Sequence, residues 1–324
     1  MAWDEIFGHE FAKRVLQAHL ASGEIPSAYL LAGPDGVGKR RLALEFAKAT
    51  NCASDGVRPC ETCAPCTQIN RRTHPDVHAI IPSGASDRIR IEDVRRLIGR
   101  VNLRPFSARM QVAILDGAER LTEEAANSLL KVLEEPPAHA RFVLTTAHVS
   151  RCLPTVRSRC HLIRCQPLPR EVVQRILSDT QRCDPQVAEA IARLSWGSAS
   201  HAIDLAGRWA AYQQGLTRLS SDAPSAWLAH PLPETREELV RMLDGMMAWL
   251  RDLVVAAAAN PKWVAHAMHA KTLTRQAQCL DLDRGLAVAF ELVELRESIE
   301  QFVSVRLVGA LAREKWLSLY GENE

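Results

Sequence analysis

Apolar positions along this chain fall into two regimes. Up to about residue 165 they come as short continuous runs alternating with helical stripes. Residues 28–32, 111–115 and 142–146 are runs of the length and composition of strands buried on both faces, and 77–81 reads as a further strand. Between them the period changes. Leu42 and Phe46, with Ala43 and Ala47, recur at helical spacing, and Leu121, Ala125, Leu129, Val132 and Leu133 line one face of a second helix. Thr122 is placed to cap that helix, Glu123 and Glu124 favour its N-terminal dipole, and Pro136-Pro137 ends it. The alternation predicts an α/β fold with a mostly parallel sheet covered by helices. From Pro169 onward strands cease. Val172, Val173, Ile176 and Leu177, then Val187, Ala190, Ile191 and Leu194, read as helices. Residues 217–238, with Pro224, Pro231 and Pro233, interrupt the pattern as a linker or a long connection. Leu243, Met246, Met247 and Leu250, and later Phe290, Val293, Phe302, Leu307 and Leu311, mark further helical stripes. Such stripes bury either within the chain or against another subunit, and the pattern alone does not separate the two.

The first strand runs into Gly33-Pro34-Asp35-Gly36-Val37-Gly38-Lys39-Arg40. This is a phosphate-binding loop, G-x-x-x-x-G-K-[ST], complete except for its last position. Gly33, Gly36 and Gly38 let backbone N–H groups face phosphate oxygens, and the following helix N-terminus adds partial positive charge. Lys39 has the reach for the β- and γ-phosphates. The hydroxyl that would ligate Mg²⁺ is replaced by Arg40, which has no lone pair to give a metal. Asp116, at the end of the 111–115 strand, is the carboxylate expected to hold the metal through its waters, and the water-orienting glutamate that commonly follows is Gly117. The loop can cradle a phosphate, but parts needed for hydrolysis are missing.

Composition narrows the class. The chain has 324 residues, enough for about two or three domains, with 47% hydrophobic and 24% charged residues as in ordinary soluble proteins. A net charge of +2 excludes a general polyanion-binding surface and leaves only local nucleic-acid contacts. The N-terminus lacks the basic and apolar regions of a signal peptide, and no apolar run approaches a membrane span, so a cytosolic chain with reduced or metal-bound cysteines is expected. Cys60, Cys63 and Cys66 form C-x₂-C-x₂-C with Cys52 upstream. Four thiolates suit a closed, structural Zn²⁺ site. An iron–sulfur cluster requires a different spacing of the fourth ligand, and unligated thiols are the remaining reading. Pro59 and Pro65 disfavour a helix here, which suits a small knuckle. His74 could replace one cysteine, though His74-Pro75-Asp76 reads better as the turn into the next strand. Cys152, Cys160, Cys165, Cys183 and Cys279 lack metal-like spacing and are expected to be packed thiols.

Two further segments carry a resemblance. Residues 125–137, AANSLLKVLEEPP, resemble the corresponding helix of bacterial clamp-loader subunits of the AAA+ family, and residues 153–160, LPTVRSRC, look like their S-R-C segment. Four cysteines inserted after the phosphate-loop helix are also a feature of that group. The resemblance implies an AAA+ P-loop module over 1–166 with a zinc insertion at about 52–66. It also implies a helical lid over 167–207 and an all-α collar domain over 208–324. Trp196-Gly197-Ser198-Ala199-Ser200-His201-Ala202 sits where active relatives carry G-S-x-R-x-A, so the sensor arginine of that motif is Ser200 here. With Arg40 and Gly117 this is a third missing part, which argues against a tau/gamma-type motor and for a scaffold that holds ATP or ADP without hydrolysis. Arg159, the S-R-C arginine, is then implied to reach a neighbour's γ-phosphate in trans. Arg157 is close enough in sequence to be confused with it. The implied partners are tau/gamma and delta subunits in a pentamer, and through them the sliding clamp and primed DNA in the nucleoid-associated replisome. The rival readings are an active ATPase that tolerates Arg40 and Gly117, and a zinc-dependent DNA-binding protein on a relic NTPase fold.

Overall fold

The computed structural model describes residues 2–82, 87–220, 231–259, 263–299 and 304–320. Pro224 and Phe302 lie outside the described residues. The described residues divide into two compact units. One runs to Val173 and includes Trp196–His201; the other holds Gln174–Ser195 and the chain from Ala202.

In the first unit the elements run α1 (Glu10–Ser22), β1 (Ala28–Ala32), α2 (Lys39–Asn51), α3 (Ala64–Asn70), β2 (Val77–Ile80) and α4 (Ile91–Val101). They continue with β3 (Gln111–Leu115), α5 (Glu123–Glu134), β4 (Ala140–Thr146), α6 (Pro154–Arg157) and β5 (His161–Arg164). The five strands form one sheet in the order β2-β3-β4-β1-β5, and every neighbouring pair is parallel. All residues of β1 and β3 are buried, which is why these strands read as unbroken apolar runs. Alternation along each strand splits the core in two. Leu30, Ala113, Leu115, Phe142 and Leu144 pack with Val94 and Leu97 of α4 and Leu129 of α5. Tyr29, Leu31, Val112, Ile114 and Val143 pack with Leu16 of α1 and Leu42 and Phe46 of α2 on the opposite face. Helices on both faces leave the C-terminal strand ends open, and the phosphate loop, Asp116 and Thr146 all lie there. Thr122 caps α5 by accepting the Ala125 N–H at 3.3 Å, as its position predicts.

Two expectations need correction. The segment containing Cys66 is helical: α3 begins at Ala64, and Pro65 sits in its first turn, where a missing N–H costs nothing. Cys279 is exposed rather than packed, whereas Cys152 and Cys165 are buried.

Helices α7 (Arg170–Gln181), α8 (Pro185–Leu194), α9 (Ala199–Gly207), α10 (Trp209–Leu219), α11 (Arg236–Ala258), α12 (Ala270–Ala277), α13 (Leu282–Ser298) and α14 (Val305–Leu317) complete the described chain. The core of the second unit is built on Leu243, Met246, Trp249 and Leu250 of α11, against Leu273, Val288, Leu292, Val308 and Trp316. Thr235 and Glu238 form a reciprocal capping box that starts α11. The apolar positions of the last two helices part company: Val288 and Leu292 are buried, while Phe290, Val293 and Leu307 are exposed. Among the described residues no helix is long and apolar enough to cross a membrane.

Candidate functional site

The phosphate loop is closed by its own chain. Lys39 is only 6% exposed. Its Nζ donates to Gly33 O and Pro34 O, both at 2.7 Å, and lies 3.7 Å from an Asp35 carboxylate oxygen. The ammonium is thus spent on the carbonyls of the loop that carries it. Gly36 adopts φ 73°, a left-handed conformation that favours glycine, and a Cβ there would lie 2.2 Å from Ser198 Oγ. Ser200 N–H donates to Gly36 O at 3.1 Å. The 196–201 turn therefore rests directly on the loop, through Ser198 and the backbone of Ser200.

At the end of β3, Asp116 accepts from Thr145 Oγ1 at 2.5 Å, and its other oxygen lies 4.0 Å from Arg40 Nη1. Both side chains are about a quarter exposed, at 26% for Arg40 and 28% for Asp116. A guanidinium thus faces the carboxylate that would otherwise serve a metal, and it can neutralise that charge without offering coordination. Gly117 has φ 85°, and an added Cβ would come within 3.3 Å of Pro82 and Arg120. A glutamate at that position would be strained as well as crowded.

The cysteine cluster forms as expected. The sulfurs of Cys52, Cys60, Cys63 and Cys66 all lie within 4.8 Å of one another, and Cys52 Sγ and Cys63 Sγ are 3.9 Å apart. Tetrahedral Zn–S bonds of about 2.3 Å imply sulfurs roughly 3.8 Å apart, so the donor set fits zinc. The Cys60 thiol is drawn down to about 6 by hydrogen bonds from Thr62 and the Cys63 N–H, which favours the thiolate a metal needs. His74 is not part of the set. Its Nδ1 accepts the Asp76 N–H at 3.1 Å, in the turn before β2. Behind the cluster, Lys48 Nζ bridges Glu45 Oε1 and Glu61 Oε1, both at 2.6 Å, and ties the cysteine loop to α2.

Arg159 follows α6 at the far end of this module's sequence. Its Nη2 pairs with Glu134 at the C-terminus of α5, and its Nη1 donates to Thr155 O at 2.9 Å. The side chain is 31% exposed. Arg157 is the more exposed of the two.

A sequence model of the family described as "DNA polymerase III, delta subunit" matches residues 8–169, half of the chain. The chain belongs to the clamp-loader family of DNA polymerase III. The DNA polymerase III subunit tau of Escherichia coli K12 is 32% identical over 272 residues, 81% of this chain and 41% of that protein. Subunit delta' of Bacillus subtilis 168 is 33% identical over 209 residues, 63% of this chain and 61% of that one. The chain therefore spans about two fifths and three fifths of these relatives. A gamma subunit-related protein of Thermotoga maritima aligns over 93% of this chain and 99% of its own at 20% identity, with a TM-score of 0.44.

Within this clamp-loader module the structure brings Gly33, Gly36, Gly38, Lys39 and Asp116 to one end of the sheet and gathers the four cysteines beside α2. Arg159 stands apart, on Glu134. The contacts that close the loop were not legible in advance. Lys39 bonding to its own loop, the Arg40–Asp116 pair and the packing of Ser198 on Gly36 depend on backbone geometry rather than on motif positions. Glu134 was the missed partner with a visible signal, as a carboxylate at the end of the α5 stripe.

Proposed function

We propose that this chain is a delta-prime-like clamp-loader subunit, an AAA+ scaffold that hydrolyses little or no ATP and lends Arg159 to a neighbouring ATPase subunit. The observation that carries this reading is the closed phosphate loop: Lys39 bonded to Gly33 O and Pro34 O, with the 196–201 turn on Gly36. Phosphate recognition there would require Lys39 to exchange two short hydrogen bonds. Arg40 facing Asp116, together with the backbone of Gly117, removes metal ligation and water orientation from the same place. ATP or ADP held on the remaining loop amides would then be a structural ligand.

Arginine suits a role in trans because its planar, permanently charged fork can meet charge that develops on a phosphoryl group. The pair with Glu134 does not obstruct this. Both partners are partly exposed, and such surface pairs contribute about 0–1 kcal/mol, so Arg159 can leave Glu134 for a phosphate at little cost. Glu134 and Thr155 O then serve to hold the guanidinium in place before the neighbour arrives. In this reading Cys52, Cys60, Cys63 and Cys66 hold one structural Zn²⁺, residues 1–166 and 167–207 are module and lid, and 208–324 joins tau/gamma and delta subunits in a pentameric collar. The complex would place the sliding clamp on primed DNA.

Lys39 and Asp116 are both present, and this favours a second reading, an active motor. Steady-state ATP turnover by the purified chain decides between them. Negligible turnover, unchanged by Lys39→Ala, supports the scaffold. Turnover abolished by Lys39→Ala establishes the motor.

A further inference from the structure

We propose that the free edge of β2 is a docking site for an extended, acidic polypeptide segment, which joins the sheet as an added strand. β2 is the outer strand of the sheet and pairs only with β3 among the described residues. Val112 N–H donates to Asp76 O at 3.0 Å and Asp116 N–H to Ile80 O at 2.9 Å. Even-numbered residues of this stretch therefore turn their backbone towards β3. By alternation, Val77 and Ala79 present their carbonyls away from the sheet, and Ala79 is exposed. Two grooves flank this edge, of about 810 and 260 Å³, and share His78, Ala79, Ile81 and Arg100.

The larger groove is cationic. Arg40, Arg72, Arg100 and Arg104 line it, and the last three are exposed. Asp76 is the acidic residue of its described lining, and it is 2% exposed. Its carboxylate is consumed by the N–H groups of Phe106, Ser107 and Ala108 at 2.7, 2.8 and 2.8 Å. Burial alone would raise the Asp76 pKa, but these donors outweigh it and keep the group ionised. That cap also fixes the turn bearing Phe106, which is 86% exposed at the rim beside Leu103 at 66%. Among the described residues, two of the lining keep a buried polar atom without a hydrogen-bond partner: His74 Nε2 and Gln111 Oε1. Because His74 Nδ1 accepts a backbone N–H, its neutral imidazole carries the proton on Nε2. The groove thus retains one unspent donor and one unspent acceptor.

Four arginines would also attract a nucleic acid. The outward carbonyls of Val77 and Ala79 favour a peptide instead, because they repel phosphate oxygens and are satisfied by amide N–H groups. An added strand meets both the edge and the charge, with its backbone on β2 and its carboxylates on the arginines. This inference is independent of the ATPase reading above.

The test measures fluorescence anisotropy of the full chain with three labelled probes. They are a decapeptide of alternating Asp and Val, the same peptide with every backbone amide N-methylated, and a single-stranded decathymidylate. The unmodified peptide should bind and the methylated one should bind about tenfold more weakly or worse, since main-chain hydrogen bonds supply the affinity in this mode. Arg100→Glu with Arg104→Glu should weaken the peptide by a similar factor, with circular dichroism and melting temperature unchanged. Amide exchange at Ala79 should slow on binding. Equal binding of the two peptides, tighter binding of the oligonucleotide, or no peptide binding up to about 1 mM would each overturn the proposal.

Discussion

Replacing Lys48 by methionine removes a charge while keeping an unbranched stem of similar length. The Lys48 side chain is 3% exposed, Glu45 6% and Glu61 25%. Burial works against the ammonium, but its bonds to Glu45 and Glu61 outweigh that and hold its pKa above the ordinary value. Glu45 is different. Burial outweighs its bond to Lys48, so its pKa is raised even in the intact protein, and its Oε2 has no hydrogen-bond partner among the described residues. Breaking a buried ion pair costs about 3–5 kcal/mol. Water can reach Glu61, so the lower end applies here, about 3 kcal/mol. For a unit of this size that is a melting-temperature loss of about 6–12 °C. The sign of the pH dependence distinguishes charge from packing. With Lys48 gone, Glu45 gains stability by taking up a proton, so the deficit should shrink as pH falls from about 7.5 to about 5.5. Adding Glu45→Gln should recover part of the loss at pH 7.5. Thermal unfolding followed by circular dichroism measures all three quantities. A loss below about 2 °C, or one equal at both pH values, would refute an electrostatic role for Lys48.

Elemental analysis of the purified chain should find one zinc per chain, and Cys63→Ser should lose it and expose the cysteine loop to proteolysis while the sheet stays folded; iron, or no metal, would reject the assignment. In the second unit, Asp252 is fully buried and accepts from His266 Nδ1, His266 N and Ala265 N at 2.8, 2.8 and 2.9 Å. Burial raises its pKa, but these donors outweigh that and depress it. Its stability contribution is therefore present above the unfolded pKa of about 3.9 and lost as pH falls below it. Asp252→Asn should cost about 2–4 kcal/mol at pH 7, and the gap to wild type in urea unfolding should narrow towards pH 3.

Much of the sheet was legible because its central strands, β1, β3 and β4, are buried on both faces. Uninterrupted runs such as 28–32 and 111–115 have few alternative explanations, and glycine and proline mark their ends. The Thr122 cap and the four-cysteine set were legible for the same reason, as short-range spacing dictates the geometry. Pro65 misled because proline forbids a helix interior and yet suits a first turn, and spacing does not say which applies. The faces of α13 and α14 were not legible: Val288 and Phe290 are both apolar, and their opposite fates depend on which helices pack there. The closure of the phosphate loop was hidden for a further reason. It joins Gly36 to Ser198 and Ser200, far apart in sequence, through a backbone bond and a steric contact that carry no residue signature.

On the proposed function, this chain acts through Arg159 on ATP bound to a neighbouring subunit. The direct measurement is clamp- and DNA-stimulated ATPase of the assembled clamp-loader complex, comparing wild type with Arg159→Ala, Arg159→Lys and Arg157→Ala. Arginine fingers contribute about 10³–10⁵ in rate at the site they serve, and sites with other fingers will mask part of that in the total. Arg159→Ala should leave the complex assembled, by size-exclusion chromatography, and lower stimulated turnover and clamp loading. Arg159→Lys should restore little, because a point charge does not reproduce the fork, and Arg157→Ala should behave as wild type. Normal stimulated ATPase from an intact complex carrying Arg159→Ala would contradict the account.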